Sequence, residues 1–95
     1  MSLDIAIEIR RGDEQAVREA LARRDGMSMT ELVARAHAVR FGCVQPHLGR
    51  FDEVQRHRYR IRDALARLER EGDVYTAKAP KGGWTVYHLR KEVMP

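Results

Sequence analysis

The 95-residue sequence predicts an α+β domain in which three helices precede a two-stranded β-hairpin. Three observations carry this expectation. Two stretches, EQAVREALARR and ELVARAHAV, repeat apolar residues at helical spacing behind a capping residue. A third, residues 54–72, places Val54, Ile61, Leu65 and Leu68 within about 60° of one another on a helical wheel and stops at a glycine. Beyond it, two runs rich in β-branched and aromatic residues flank the turn sequence APKGG.

Taken in order, residues 3–10 alternate Leu3, Ile5, Ile7 and Ile9 with Asp4, Glu8 and Arg10, which reads as a short N-terminal strand or arm over 1–12. Ile5 and Ile9 also fall at helical spacing, so a helical extension stays open. Gly12 breaks the chain and Asp13 caps a helix starting at Glu14. Its apolar face is Ala16, Val17, Ala20 and Leu21; Arg23 and Arg24 suit its last turn, and Asp25-Gly26 ends it. The connector Met27-Ser28-Met29 is short enough for a strand of two or three residues. Thr30 caps the second helix, with Leu32, Val33, Ala36 and Val39 inward. Residues 40–51 hold Gly42, Pro46 and Gly49 and no period, and read as a loop. Asp52 and Glu53 open the third helix, which runs to about Glu71 and stops at Gly72. Strands are expected over 73–77 and 84–89, joined by the turn 79–83. The tail 91–95 is expected to fray.

Composition limits the function classes. A chain of 95 residues supports one small core. Hydrophobic content of 43% with 34% charge fits a globular protein rather than a disordered one. No apolar run reaches the roughly 20 residues of a membrane span, and MSLDIAIEIRR lacks the order of a signal peptide. The single cysteine, Cys43, excludes an internal disulfide and fits a cytoplasmic location. The net charge of +4 is unevenly placed. Residues 1–39 carry six Arg against seven acids; residues 40–95 carry twelve Lys plus Arg against seven acids. Positive charge therefore collects in the half holding the third helix and hairpin, as a nucleic-acid footprint requires. Within that helix Arg56, Arg58, Arg60 and Arg62 follow one another with no acid between them. Four like charges in seven residues repel, and a polyanion relieves the repulsion.

On the wheel, Gln55, Arg56, Tyr59, Arg60 and Arg62 lie away from the apolar arc or on its flank, whereas Arg58 and His57 lean toward it. The run ALARLEREGDVY, followed by a basic hairpin, resembles the end of the recognition helix and the wing of bacterial winged helix-turn-helix DNA-binding domains of the transcriptional-regulator type. The resemblance covers residues 13–90. It departs at 40–51, which is longer than the turn preceding a recognition helix in that fold. The resemblance implies that the start of the 54–71 helix reaches base edges in the major groove, where Arg pairs with guanine and Gln with adenine. It also implies that Lys78 and Lys81, flanking Pro80 in the 78–83 wing, position the DNA backbone. The expected function is sequence-specific double-stranded DNA binding by a homodimeric transcription regulator; the alternative is a winged-helix protein–protein module in a larger assembly. Trp84 is expected to pack at the base of the wing.

His37, Cys43, His47 and His57 are the metal-capable side chains. Cys43 and His47 are spaced like a ligand pair, but with no second cysteine and the histidines on separate elements, no metal site is assigned. No phosphate-binding glycine loop or carboxylate pair is present. The expectation is a non-enzymatic protein without cofactor, small-molecule ligand or membrane partner.

Overall fold

The computed structural model describes residues 3–42 and 51–90. Helices α1 (Leu3–Arg23), α2 (Met29–Phe41) and α3 (Phe51–Glu71) are followed by strands β1 (Val74–Lys78) and β2 (Thr85–Leu89). The two strands form one antiparallel sheet, with Val74 opposite Leu89 and Lys78 opposite Thr85. The segment 43–50, which makes up most of the loop expected over 40–51, and the tail 91–95 lie outside the described residues.

Helix α1 corrects the N-terminal reading. It starts at Leu3, absorbs the strand expected over 3–10, and passes through Gly12-Asp13 without a break. A strand must find a partner for its backbone groups, whereas a helix satisfies them locally. The stripe that buries Asp13, Ala16, Val17, Ala20 and Leu21 continues backward at helical spacing to the half-buried Ile9, while Ile5 and Ile7 are both exposed, at 49% and 38%. A glycine inside a helix costs about 0.5–1 kcal/mol relative to alanine. Here its missing side chain makes room for Arg40 of α2, because a Cβ at Gly12 would stand 2.7 Å from the Arg40 guanidinium.

Helix α2 is capped by Ser28 rather than Thr30. The Ser28 hydroxyl accepts from the Glu31 amide at 3.3 Å, and Ser28 has the extended backbone of a cap residue. The helix runs to Phe41, into the stretch expected to be loop, and ends at Gly42, whose φ of 79° lies in the left-handed region. Helix α3 and its stop at Gly72 match expectation. Gly72 takes φ 87°, and the amides of Gly72 and Asp73 close back on the carbonyls of Glu69 and Leu68.

The core lies where α1, α2 and α3 meet the inner face of the hairpin. Val17, Leu21, Met27, Leu32, Ile61, Leu65, Leu68 and Val74 are its largest fully buried side chains. The expected short strand at the connector is a single bridge: the Tyr87 amide donates to the Met27 carbonyl at 2.7 Å and the Gly26 amide to the Tyr87 carbonyl at 3.0 Å. The hairpin base is tied down further. Asp25 accepts from the Leu89 amide at 3.1 Å and meets His88 Nδ1 at 2.8 Å, while Arg18 holds Asp73 at 2.7 Å.

Candidate nucleic-acid interface

Helix α3 is wedged between two helices, and that decides where its arginines point. Its apolar arc (Val54, Ile61, Ala64, Leu65, Leu68) is buried. One flank turns to α1. Arg60 donates from Nε and Nη2 to the Asp13 carboxylate at 3.1 and 3.0 Å, and Arg67 donates to Glu14 at 2.9 Å. Asp13 is only 2% exposed, and it also accepts from Arg40 at 3.2 Å. One buried carboxylate therefore joins all three helices, and two cations compensate it. Asp13 is the hub of this contact rather than a cap, and Arg60, expected on the nucleic-acid face, is a structural arginine. On an isolated helix Arg60, and Arg67 two turns beyond it, lie opposite the apolar arc, because such a helix has no neighbour on that side. The acids of α1 that attract them are more than forty residues away in sequence. The pairing of Arg67 within its own helix, which its spacing to Asp63 allows, is replaced by Glu14.

The opposite flank turns toward the start of α2. Gln55, Arg58, Tyr59 and Arg62 line an open groove of about 260 Å³ together with Met29, Thr30 and Val33. These four α3 residues stand at i, i+3, i+4 and i+7, one continuous row on a helix. Arg58, read from the wheel as leaning toward the core, is exposed and belongs to this row. That spacing was the available signal for it; what obscured it was the assumption of a single buried face. Tyr59 is 62% exposed, and the Arg62 guanidinium lies 6.0 Å from its ring centroid. Arg56 is exposed between the two flanks.

The charge balance separates the flanks. Arg60, Arg67 and Arg40 are matched by carboxylates. Arg56, Arg58 and Arg62 make no ion pair among the described residues. Lys78 and Lys81 on the hairpin are likewise exposed and unmatched among them. Of the seven positions singled out from sequence, Gln55, Arg56, Tyr59 and Arg62 thus share the open face of α3, Lys78 and Lys81 stand on the hairpin, and Arg60 is withdrawn from the surface contact.

Toward the end of α2, three rings fill the corner between α2 and α3. Phe41 and His57 stack at 3.8 Å with planes 6° apart, and His37 tilts against both at 5.1 and 5.6 Å. His37 is 6% exposed and its Nε2 has no hydrogen-bond partner. Burial, then the neighbouring His57 and Arg58, hold its pKa below the ordinary imidazole value. Arg40 and Arg60 lie over the Phe41 ring at 5.7 and 5.1 Å. This corner is ring packing under a cationic rim. Cys43 and His47 lie outside the described residues, and among those described no group of three or more ligand-type side chains is assembled to hold a metal. No described helix is long and apolar enough to cross a membrane.

Comparisons with protein-family models, with curated proteins and with solved structures find no match.

Proposed function

We propose that the chain is a double-stranded DNA-binding protein of winged helix-turn-helix type, acting as a sequence-specific transcription regulator. The observation that carries this reading is the open face of α3: Arg56, Arg58 and Arg62, unmatched by any acid among the described residues, beside Gln55 and Tyr59 in a row flanked by the first turn of α2. The side chains suit the task. Arg58 and Arg62 lie one helical turn apart and can each donate two parallel bonds to a guanine edge, and Gln55 can pair with adenine; a good pair of this kind discriminates by roughly 1–3 kcal/mol. Arg56 and the hairpin lysines suit phosphates. Helix α3 is about 30 Å long, but only its first half presents this face. One such helix reads few base pairs, so the functional unit is a homodimer on two half-sites.

The testing experiment is a titration of random duplex DNA at several salt concentrations. On random duplex, where no base is selected, Arg56, Arg58, Arg62, Lys78 and Lys81 each meet a phosphate, and five neutralised phosphates give a log–log salt slope of about −4.5. Affinity should then fall about 500-fold between 50 and 200 mM salt. Selection from a random-site pool should return a preferred site, and Arg58→Ala or Gln55→Ala should relax it at one position each. No binding at low salt removes the DNA reading and leaves the protein–protein module, with the same arginines meeting an acidic partner.

A further inference from the structure

The hairpin carries a feature that the positioning role of its lysines does not use. Trp84 was expected to pack at the wing base. It stands instead at the tip, 56% exposed, where the Ala79 amide donates to its carbonyl at 2.8 Å and closes the turn beyond the last strand pair, Lys78 opposite Thr85. Its exposure is not looseness. Gly82 takes φ 93°, and a Cβ there would collide with the six-membered ring of Trp84, so the indole lies directly over the glycine backbone. The turn glycine thus has two reasons to be glycine: a left-handed backbone and a seated ring. One face of the indole is held by the chain and a large part of the ring is left to solvent.

Alternation places Trp84 on the side of β2 that carries His88 and the buried Val86, whereas Tyr87 joins the core from the other side. The base of the hairpin is fixed by the His88–Asp25 contact, by stacking of Tyr75 on His88 at 5.2 Å and by the Met27 bridge. The tip therefore projects from an anchored base. Residues 74–90 contain Lys78, Lys81 and Arg90 and no acid at all. An apolar ring alone would suit a protein partner. An apolar ring seated on a hairpin with three cations and no anion suits a partner that offers negative charge beside apolar sugar and base-edge surface, which is a nucleic acid.

We propose that Trp84 is a direct DNA contact at the tip of the hairpin, its open face packing against a nucleotide while Lys78 and Lys81 meet the flanking phosphates. This rests on the DNA-binding reading of α3 and adds a non-electrostatic contact to it. An aromatic side chain packed against the sugar and base edge of a nucleotide gains affinity by dispersion and desolvation, which respond weakly to salt, whereas the lysines contribute through counterion release.

The chain has a single tryptophan, so its emission reports this position alone. Two readouts are taken on the same random-sequence duplex at low salt: anisotropy of end-labelled DNA for binding, and tryptophan emission for the contact. The expected result is saturable quenching of emission with the midpoint of the anisotropy curve. Trp84→Ala should bind about 5- to 100-fold more weakly with an unchanged salt slope, and Trp84→Phe should recover part of the loss. Lys78→Ala and Lys81→Ala should each reduce the slope by about one instead. Because Trp84 is largely exposed, both variants should retain the far-ultraviolet circular dichroism of the parent. Duplex binding by anisotropy with unchanged emission, and Trp84→Ala binding as tightly as the parent, overturns the role of Trp84 and leaves the α3 reading standing. Absence of duplex binding in anisotropy overturns both.

Discussion

Arg58 and Arg60 are two residues apart on one helix, and alanine at each should produce opposite phenotypes. Arg60→Ala removes two charge-assisted bonds to Asp13, at 3.1 and 3.0 Å, and leaves that carboxylate with one bond from Arg40 at 3.2 Å. The Asp13 side chain is 3% exposed and cannot recover the loss from water, although the Arg60 side chain itself is 37% exposed. A hydrogen bond to a charged group contributes about 1.5–3 kcal/mol, and partial exposure of the arginine pulls the pair of bonds toward the lower end. The stack of Arg60 over Phe41 adds about 0.5 kcal/mol. The expected loss is about 2–3 kcal/mol, which for a domain of this size lowers Tm by roughly 10–20 °C. Arg58→Ala removes an exposed side chain without an ion pair and should stay within about 0.5 kcal/mol of the parent. In DNA binding the order reverses: Arg58→Ala should reduce the salt slope by about 0.9. Arg60→Ala, measured below its own unfolding temperature, should leave the slope unchanged. Urea unfolding and salt titration of a labelled duplex read the two effects. Full stability of Arg60→Ala together with a reduced salt slope would refute the division of α3 into a structural and a binding flank.

Three further outcomes follow from the same geometry. Ser28→Ala should cost about 1 kcal/mol in thermal unfolding, whereas Thr30→Ala should cost much less, because Ser28 accepts the α2 amide. Stability should fall as pH drops below about 6.5. The folded protein holds His37 below that ordinary value, so the unfolded chain takes up the proton first. The contribution is complete above pH 6.5 and is lost as pH falls toward the folded pKa. Urea midpoints across pH 5 to 8 should show this slope in the parent and a weaker one in His37→Gln. Gly12→Ala should act through Arg40: alone it displaces the guanidinium from Asp13, whereas in an Arg40→Ala background it should stabilise by about 0.5–1 kcal/mol, the helix-propensity gain. A double-mutant cycle showing no coupling would sever that link.

Periodicity and punctuation are properties of neighbouring residues, and most of what they govern from residue 13 onward was legible along the chain. The helix from 54 to 71, its stop at Gly72, the two strands and the turn between them follow from spacing and from where glycine stands. The apolar faces Ala16–Leu21, Leu32–Ala36 and Ile61–Leu68 are the observed core. The charge asymmetry pointed to the helix and hairpin that carry Arg56, Arg58, Arg62, Lys78 and Lys81, exposed and without an ion pair among the described residues. Three errors share one cause. Leu3–Ile9 satisfies two periods at once, and it is helical as the continuation of a helix that runs unbroken through Gly12 and Asp13. Ser28 and Thr30 are both able caps, and where the chain leaves its bridge to Tyr87 settles which one serves. Trp84 is a packing residue by type and an exposed one by place, because Gly82 seats it at the tip.

What the sequence by itself determined is the succession of three helices and a two-stranded hairpin, the apolar face of each helix and the region of excess positive charge. Which arginines are spent inside the fold and which remain open was decided by tertiary structure alone. Asp13, Glu14 and Arg40 come within bonding distance of Arg60 and Arg67 only once α1 and α2 close on α3. A buried carboxylate takes its cations from whatever side chains the packing brings near it, however remote in sequence. The open row Gln55, Arg58, Tyr59 and Arg62 is what that neutralisation leaves over.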